Sequence, residues 1–227
     1  MKGYKSLPVG SELILYENLI DNSIFNEEDF KIASLDVTKF KNFIDPNIQD
    51  FKIREAPGIQ YQLEYIFSEV ITKLNLYSIN QVKSIYEKQY GREAPLVISS
   101  SWIYYQDKAV KNAFWHHHRE SQIKTPNNRY GKTKTTKLPN YKTLVIYLQL
   151  PEDVKDSGKI WFSPNRNKNA GSHGNKVSKT DVSFTPKVGD VVIFPGTMPH
   201  FPELHEGDTT RIVFGSNLYI EKPKTLL

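Results

Sequence analysis

The sequence predicts a mainly β protein, a barrel or sandwich of short antiparallel strands with N-terminal helices packed on its outside. Three observations carry that prediction. Six runs rich in β-branched and aromatic residues follow one another between 96 and 220. Turn-forming residues separate them, and helical periodicity is confined to the chain before Pro95.

In chain order, residues 1–55 mix short apolar runs with Asn, Asp and Pro, which predicts short strands and turns. Ile59, Leu63, Ile66, Phe67, Val70, Ile71 and Leu74 then recur at helical spacing and predict one amphipathic helix. Ser78 is placed to cap a second helix, with Ile79, Val82, Ile85 and Tyr86 as its apolar stripe and Gly91 as its stop. After Pro95 the period changes. LVISSSWIYY (96–105), YKTLVIYLQL (141–150), KIWFSP (159–164), DVSFTP (181–186), DVVIFP (190–195) and RIVFGSNLYI (211–220) read as strands. Pro151, Gly158, Asn165 to Gly174, Pro186 to Gly189, and Gly196 punctuate them. A succession of short strands with no helix between them belongs to a barrel or sandwich. A single domain over 1–227 is expected, with 1–95 as an elaboration on a β core at 96–220.

Composition narrows the chemistry. The 227 residues are 38% hydrophobic and 12% aromatic, enough for a packed core. There is no cysteine. Disulfides, thiolate metal ligands and a cysteine nucleophile are therefore excluded, and a bound metal would rest on histidine and carboxylate. No apolar run reaches the length of a membrane span and the first residues lack a signal-peptide pattern, so an intracellular, cytoplasmic protein is expected. The net charge of +5 is concentrated in 119–142, where Arg119, Lys124, Arg129, Lys132, Lys134, Lys137 and Lys142 face only Glu120. That segment, read as a loop, suits an anionic substrate.

Five of the six histidines lie in two places: His116, His117 and His118, then His200 and His205. In an extended segment, His116, His118 and Glu120 share one face and His117 takes the other. Two ligands at i and i+2 on one strand and a third from a distant strand can occupy one face of an octahedral metal, leaving open positions for substrate and oxygen. His200 is the natural third ligand. It follows DVVIFPGTMP, so its imidazole is expected to project from a strand end rather than into the core. Arg211, opening the next strand, can pair bidentately with a carboxylate bound beside the metal. His117 is expected to face the core or the opposite wall, and His173 and His205 to lie on solvated loops.

In this order of parts the chain resembles the iron(II)- and 2-oxoglutarate-dependent dioxygenases, whose fold is a double-stranded β-helix, or jelly roll. VGDVVIFPGTMPHFPELHEGDTTRIVFGSNLYI is similar to that family's Gly-Asp, Phe-Pro, His, Arg, Asn stretch. SSSWIYYQDKAVKNAFWHHHRES resembles a subgroup common in phage and bacterial genomes, which has Ser-Trp and then His-x-His followed by Ser. Here those residues are Ser101–Trp102, His116-x-His118 and Ser121. The resemblance spans about 96–220. It implies Fe(II), 2-oxoglutarate and O2 as cofactor and co-substrates, with hydroxylation of an organic substrate as the default outcome. It also implies metal ligation by His200 and by residues of 116–120, with Arg211 on the distal carboxylate of 2-oxoglutarate. Two ligand sets satisfy the pattern: His118, Glu120 and His200, or His116, His118 and His200. Charge balance favours the first, and the His-x-His subgroup favours the second. Tyr147 either donates its hydroxyl to the co-substrate or packs as a core aromatic, and Asn217 occupies a family position. Two alternatives stand beside this reading: a jelly-roll binding module without catalysis, and nucleic-acid binding through the basic 119–142 segment.

Overall fold

The structure is a computed structural model. It describes residues 4–6, 14–16, 26, 28–29, 31–33, 35, 59–62, 68–90, 96–106, 115–118, 122–126, 133–137, 141–151, 158–164, 177–203 and 210–220. Glu120, His173 and His205 lie outside the described residues.

The described residues are mainly β, as expected. The strands are β1 (Tyr4–Ser6), β2 (Ile14–Tyr16), β3 (Ile59–Gln62), β4 (Leu96–Gln106), β5 (Gln122–Pro126), β6 (Thr133–Lys137), β7 (Tyr141–Gln149), β8 (Ile160–Phe162), β9 (Val182–Phe184), β10 (Val191–Pro195), β11 (His200–Pro202) and β12 (Arg211–Ile220). Seven form one antiparallel sheet in the order β1-β2-β10-β7-β12-β4-β3. Three form a second sheet, β11-β8-β9. The six strands read from the sequence are all present, and β12 spans the residues expected of it.

The two sheets share a hydrophobic core. Trp102 and Tyr104 from β4, Tyr147 from β7, Val192 and Phe194 from β10 and Val213 from β12 meet Ile160 and Phe162 from β8 and Met198 from the turn after β10. Strand alternation explains the choice, since every second residue of each large-sheet strand turns toward the small sheet. The intervening residues Ile103, Leu144, Ile146, Ile193 and Phe214 are buried on the other face. On that face Ser216 Oγ donates to Asn75 Oδ1 of the long helix at 3.4 Å.

Four expectations change. Within 1–55, where strands and turns were expected, residues 28–29, 31–33 and 35 are helical. Residues 59–62 form a strand, not a helix, because IQYQ also alternates with period two and pairs with β4. A single helix, Glu69–Tyr90, replaces the two expected. Its cap is Ser68, whose Oγ accepts from Ile71 N at 3.3 Å, so Ser78 lies in mid-helix. The basic segment is not only loop: β5 and β6 pair as a two-stranded ribbon. No helix among the described residues is long and apolar enough to cross a membrane.

Candidate metal centre

His200 is positioned by a turn. After Pro195 the backbone closes with Met198 N bonded to Pro195 O at 2.8 Å, which carries the chain from the large sheet to the small one. His200 is therefore the first residue of β11, and at 4% exposure its imidazole is buried in the core instead of projecting from a strand end as expected. Sequence reasoning missed this strand because HFP is three residues long, follows Pro199 and itself ends in a proline. The ring packs on Phe194 (centroids 4.6 Å) and Phe162 (6.1 Å), so it faces the cleft between the sheets.

The same turn holds the histidine triplet. His116 forms a bridge with His200, with N–O distances of 3.0 and 2.8 Å in the two directions. Two residues on, His118 N donates to Gly196 O at 2.8 Å. The i, i+2 spacing thus brings both rings to His200: centroids lie 4.3 Å apart for His116–His200 and 5.0 Å for His118–His200. One ligand nitrogen from each of His116, His118 and His200 lies within 4.8 Å of the other two. His117 is not in the cluster, and its Nδ1 lies 3.3 Å from the His118 carbonyl.

Hydrogen bonds decide which nitrogens face the cluster. His118 Nδ1 sits 2.9 Å from Asn217 Oδ1 and 2.9 Å from Thr143 Oγ1, and Thr143 donates to the same Asn217 oxygen at 3.0 Å. His200 Nδ1 donates to Met198 O at 2.9 Å. With each Nδ1 engaged as a donor, each Nε2 keeps its lone pair for a ligand. Burial, reinforced by neighbouring His116, pushes His118 down to about 4 against the opposing pull of Asn217. Burial, then His116 and His118, holds His200 well below the ordinary histidine value, with its bond to Met198 opposing. Both rings are neutral at neutral pH, the state a divalent metal requires.

Arg211 enters the same interior from β12. It is 2% exposed, its Cζ lies 5.5 Å from the Tyr147 ring centroid, and its Nη1 donates to the Glu203 carbonyl at 3.4 Å. No carboxylate among the described residues pairs with it. Arg211 Nε and Tyr104 Oη are buried without a hydrogen-bond partner, whereas Tyr147 Oη lies within the influence of the Arg211 guanidinium. Burial pushes both phenols up to about 12, against the lowering effect of the Arg211 charge and, at Tyr147, of its hydrogen-bonding interaction with Arg211. A buried cation lacking a counter-ion is strongly unfavourable, so this arrangement suits an anion able to accept several hydrogen bonds. β12 shifts register beside each of its two site residues: between Ile212 and Val213 against β7, and between Asn217 and Leu218 against β4. Such irregularities commonly re-aim side chains at sites.

The donor set fits a divalent metal and the guanidinium pocket fits a carboxylate. Thr143 and Tyr104 escaped the sequence reading. Their only signal was a polar atom at an inward position of an otherwise apolar strand.

No family model and no curated protein matches the sequence. Solved structures do match. HygX from Streptomyces hygroscopicus, determined with nickel and 2-oxoglutarate bound, is 13% identical with a TM-score of 0.55, covering 94% of this chain and 83% of that one. The non-heme alpha-ketoglutarate-dependent carbocyclase SnoK from nogalamycin biosynthesis is 14% identical with a TM-score of 0.57, covering 92% and 79%. The viral collagen prolyl hydroxylase of Paramecium Bursaria Chlorella virus-1, in its 2-oxoglutarate complex, is 12% identical with a TM-score of 0.51, covering 94% and 98%. At these identities the likeness establishes the fold, and this chain has the fold of 2-oxoglutarate-dependent oxygenases.

Proposed function

We propose that the protein is an Fe(II)- and 2-oxoglutarate-dependent dioxygenase that hydroxylates an organic substrate. One observation carries the reading. Three imidazole nitrogens lie within 4.8 Å of one another in the same β interior as a buried guanidinium that has no carboxylate partner among the described residues. On this reading the chain is one domain, 96–220 forms a double-stranded β-helix, and the long helix covers its outer face. The facing sheets and the Asn75–Ser216 bond support that arrangement.

His116, His118 and His200 hold the metal, and the backbone bridge between His116 and His200 favours His116 over Glu120 as the third ligand. Bound Fe(II) with 2-oxoglutarate and O2 supplies the oxidising power, with succinate and carbon dioxide as co-products. The chain's own residues prepare the site. Met198 O and Asn217 Oδ1 accept hydrogen bonds from the Nδ1–H groups and so direct the Nε2 lone pairs. Arg211 neutralises the distal carboxylate of 2-oxoglutarate, and the Tyr147 and Tyr104 hydroxyls donate to it. Phe162 and Phe194 keep water from the His200 ring. The basic segment directly after the histidines supports an anionic substrate. No observation on the described residues favours the nucleic-acid alternative.

The test is substrate-free turnover. Full-length protein with Fe(II), ascorbate, O2 and 2-oxoglutarate is expected to release succinate slowly, and the His200→Ala protein to release none. Metal binding without iron-dependent succinate release under any condition would instead identify a non-catalytic jelly-roll module.

A further inference from the structure

Trp102 is not among the metal ligands, yet it pairs with the stretch of β12 that lies between Arg211 and Asn217. β4 and β12 pair with Trp102 opposite Gly215. A Cβ on Gly215 would overlap the indole at Cε2, Cζ2 and Nε1, so the ring can lie where it does only on bare backbone. On the opposite face of the same two strands, Ser101 Oγ and Ser216 Oγ are 2.7 Å apart and tie the backbone beneath it.

The indole also meets His118, edge to face, with centroids 5.1 Å apart and planes at 77°. His118 needs that wall. Its hydrogen bonds to Asn217 and Thr143 both leave from Nδ1. Bonds at one nitrogen fix that end of the ring but let the ring pivot about it, and such a pivot swings Nε2 away from His116 and His200. Phe194 limits the motion from another side, at 6.4 Å and 55°. His200 differs, because Phe194 and Phe162 enclose it and Met198 O holds its Nδ1.

We propose that Trp102, seated on Gly215, is a positioning residue that sets the plane of the His118 imidazole and so keeps its Nε2 on the metal. The inference rests on reading His116, His118 and His200 as a metal site. It assigns a task to the tryptophan of the Ser101–Trp102 pair.

Calorimetric titration of the metal-free full-length chain with Co(II), read together with the visible Co(II) spectrum, tests it. Trp102→Leu weakens Co(II) binding about tenfold, as removal of groups that orient a metal-ligating histidine does, and it alters the ligand-field bands. Trp102→Phe keeps an aromatic wall and stays within about threefold of wild type. Gly215→Ala forces the indole to shift and also costs about tenfold. Combined with Trp102→Leu it adds nothing further, because both changes act through one contact. Ile160→Ala truncates the same core at a residue paired with Pro202 and Phe184, so it lowers Tm and leaves Co(II) affinity unchanged. If Trp102→Leu and Gly215→Ala titrate like wild type, or if Ile160→Ala loses as much affinity as they do, Trp102 is only core filling. If the wild-type chain binds no Co(II), the metal-site reading itself fails, and the inference fails with it.

Discussion

The two ends of the interior are built on opposite electrostatic principles. At the histidine end every placement is supported by neutral partners: a backbone bridge joins His116 to His200, a carbonyl fixes His200, and Asn217 with Thr143 fixes His118. At the arginine end, among the described residues, a buried cation has no carboxylate partner, and its Nε and the Tyr104 hydroxyl make no hydrogen bond. The first end is organised before anything binds. On the proposed reading, the second gains bonds when an anion binds. Metal and co-substrate affinities should therefore respond to different substitutions, and the protein without its co-substrate should be strained at one end only.

The largest effect separates the two candidate third ligands. His116→Ala is expected to weaken Fe(II) or Co(II) binding on the order of a hundredfold or more, whereas Glu120→Gln leaves affinity and stoichiometry unchanged. Calorimetry on both variants checks this, and the reverse pattern would restore a two-histidine, one-carboxylate site. Next is Arg211→Met. Affinity for 2-oxoglutarate should fall on the order of a hundredfold, since one partner of a buried charge pair is lost. Metal affinity should hold within about threefold. Removing a buried cation that has no carboxylate partner among the described residues also leaves the metal-free Tm unchanged or raised, which differential scanning calorimetry reads. A fall of several degrees would show that the guanidinium already has a stabilising partner.

Smaller effects sharpen the contrast further. Asn217→Ala should cost about tenfold in metal affinity with little direct effect on 2-oxoglutarate. Tyr147→Phe should cost about tenfold or less in 2-oxoglutarate affinity and nothing in metal affinity, because one hydrogen bond to a carboxylate is at stake. Paired titrations of each variant with metal and then 2-oxoglutarate place it at one end or the other. A variant that moves both constants equally would dissolve the division.

What could be read from the sequence follows the range of the forces involved. β12 was legible to its boundaries because RIVFGSNLYI combines β-branched and aromatic residues with clear stops. His116, His118 and His200 could be grouped because i, i+2 spacing on an extended chain is local geometry, and Arg211 because it opens the next long strand. The helix start was not legible. Ile59 fits both the helical run with Leu63 and the strand alternation with Tyr61, and the choice was made by pairing with β4, a partner distant in sequence. The support around the site was equally hidden. Thr143 and Asn217 reach His118 from strands far along the chain, and Tyr104 joins Arg211 through the register of β4 on β12. The fit of Trp102 on Gly215 depends on that same register.

The central claim is that both ends serve one metal-bound 2-oxoglutarate. Anaerobic titration of the metal-free chain with Fe(II) and then 2-oxoglutarate, followed by visible absorption, tests it most directly. The account predicts a metal-to-ligand charge-transfer band that requires both additions and that, in the Arg211→Met protein, appears only at much higher 2-oxoglutarate. Absence of the band in the wild-type chain with iron demonstrably bound would contradict it.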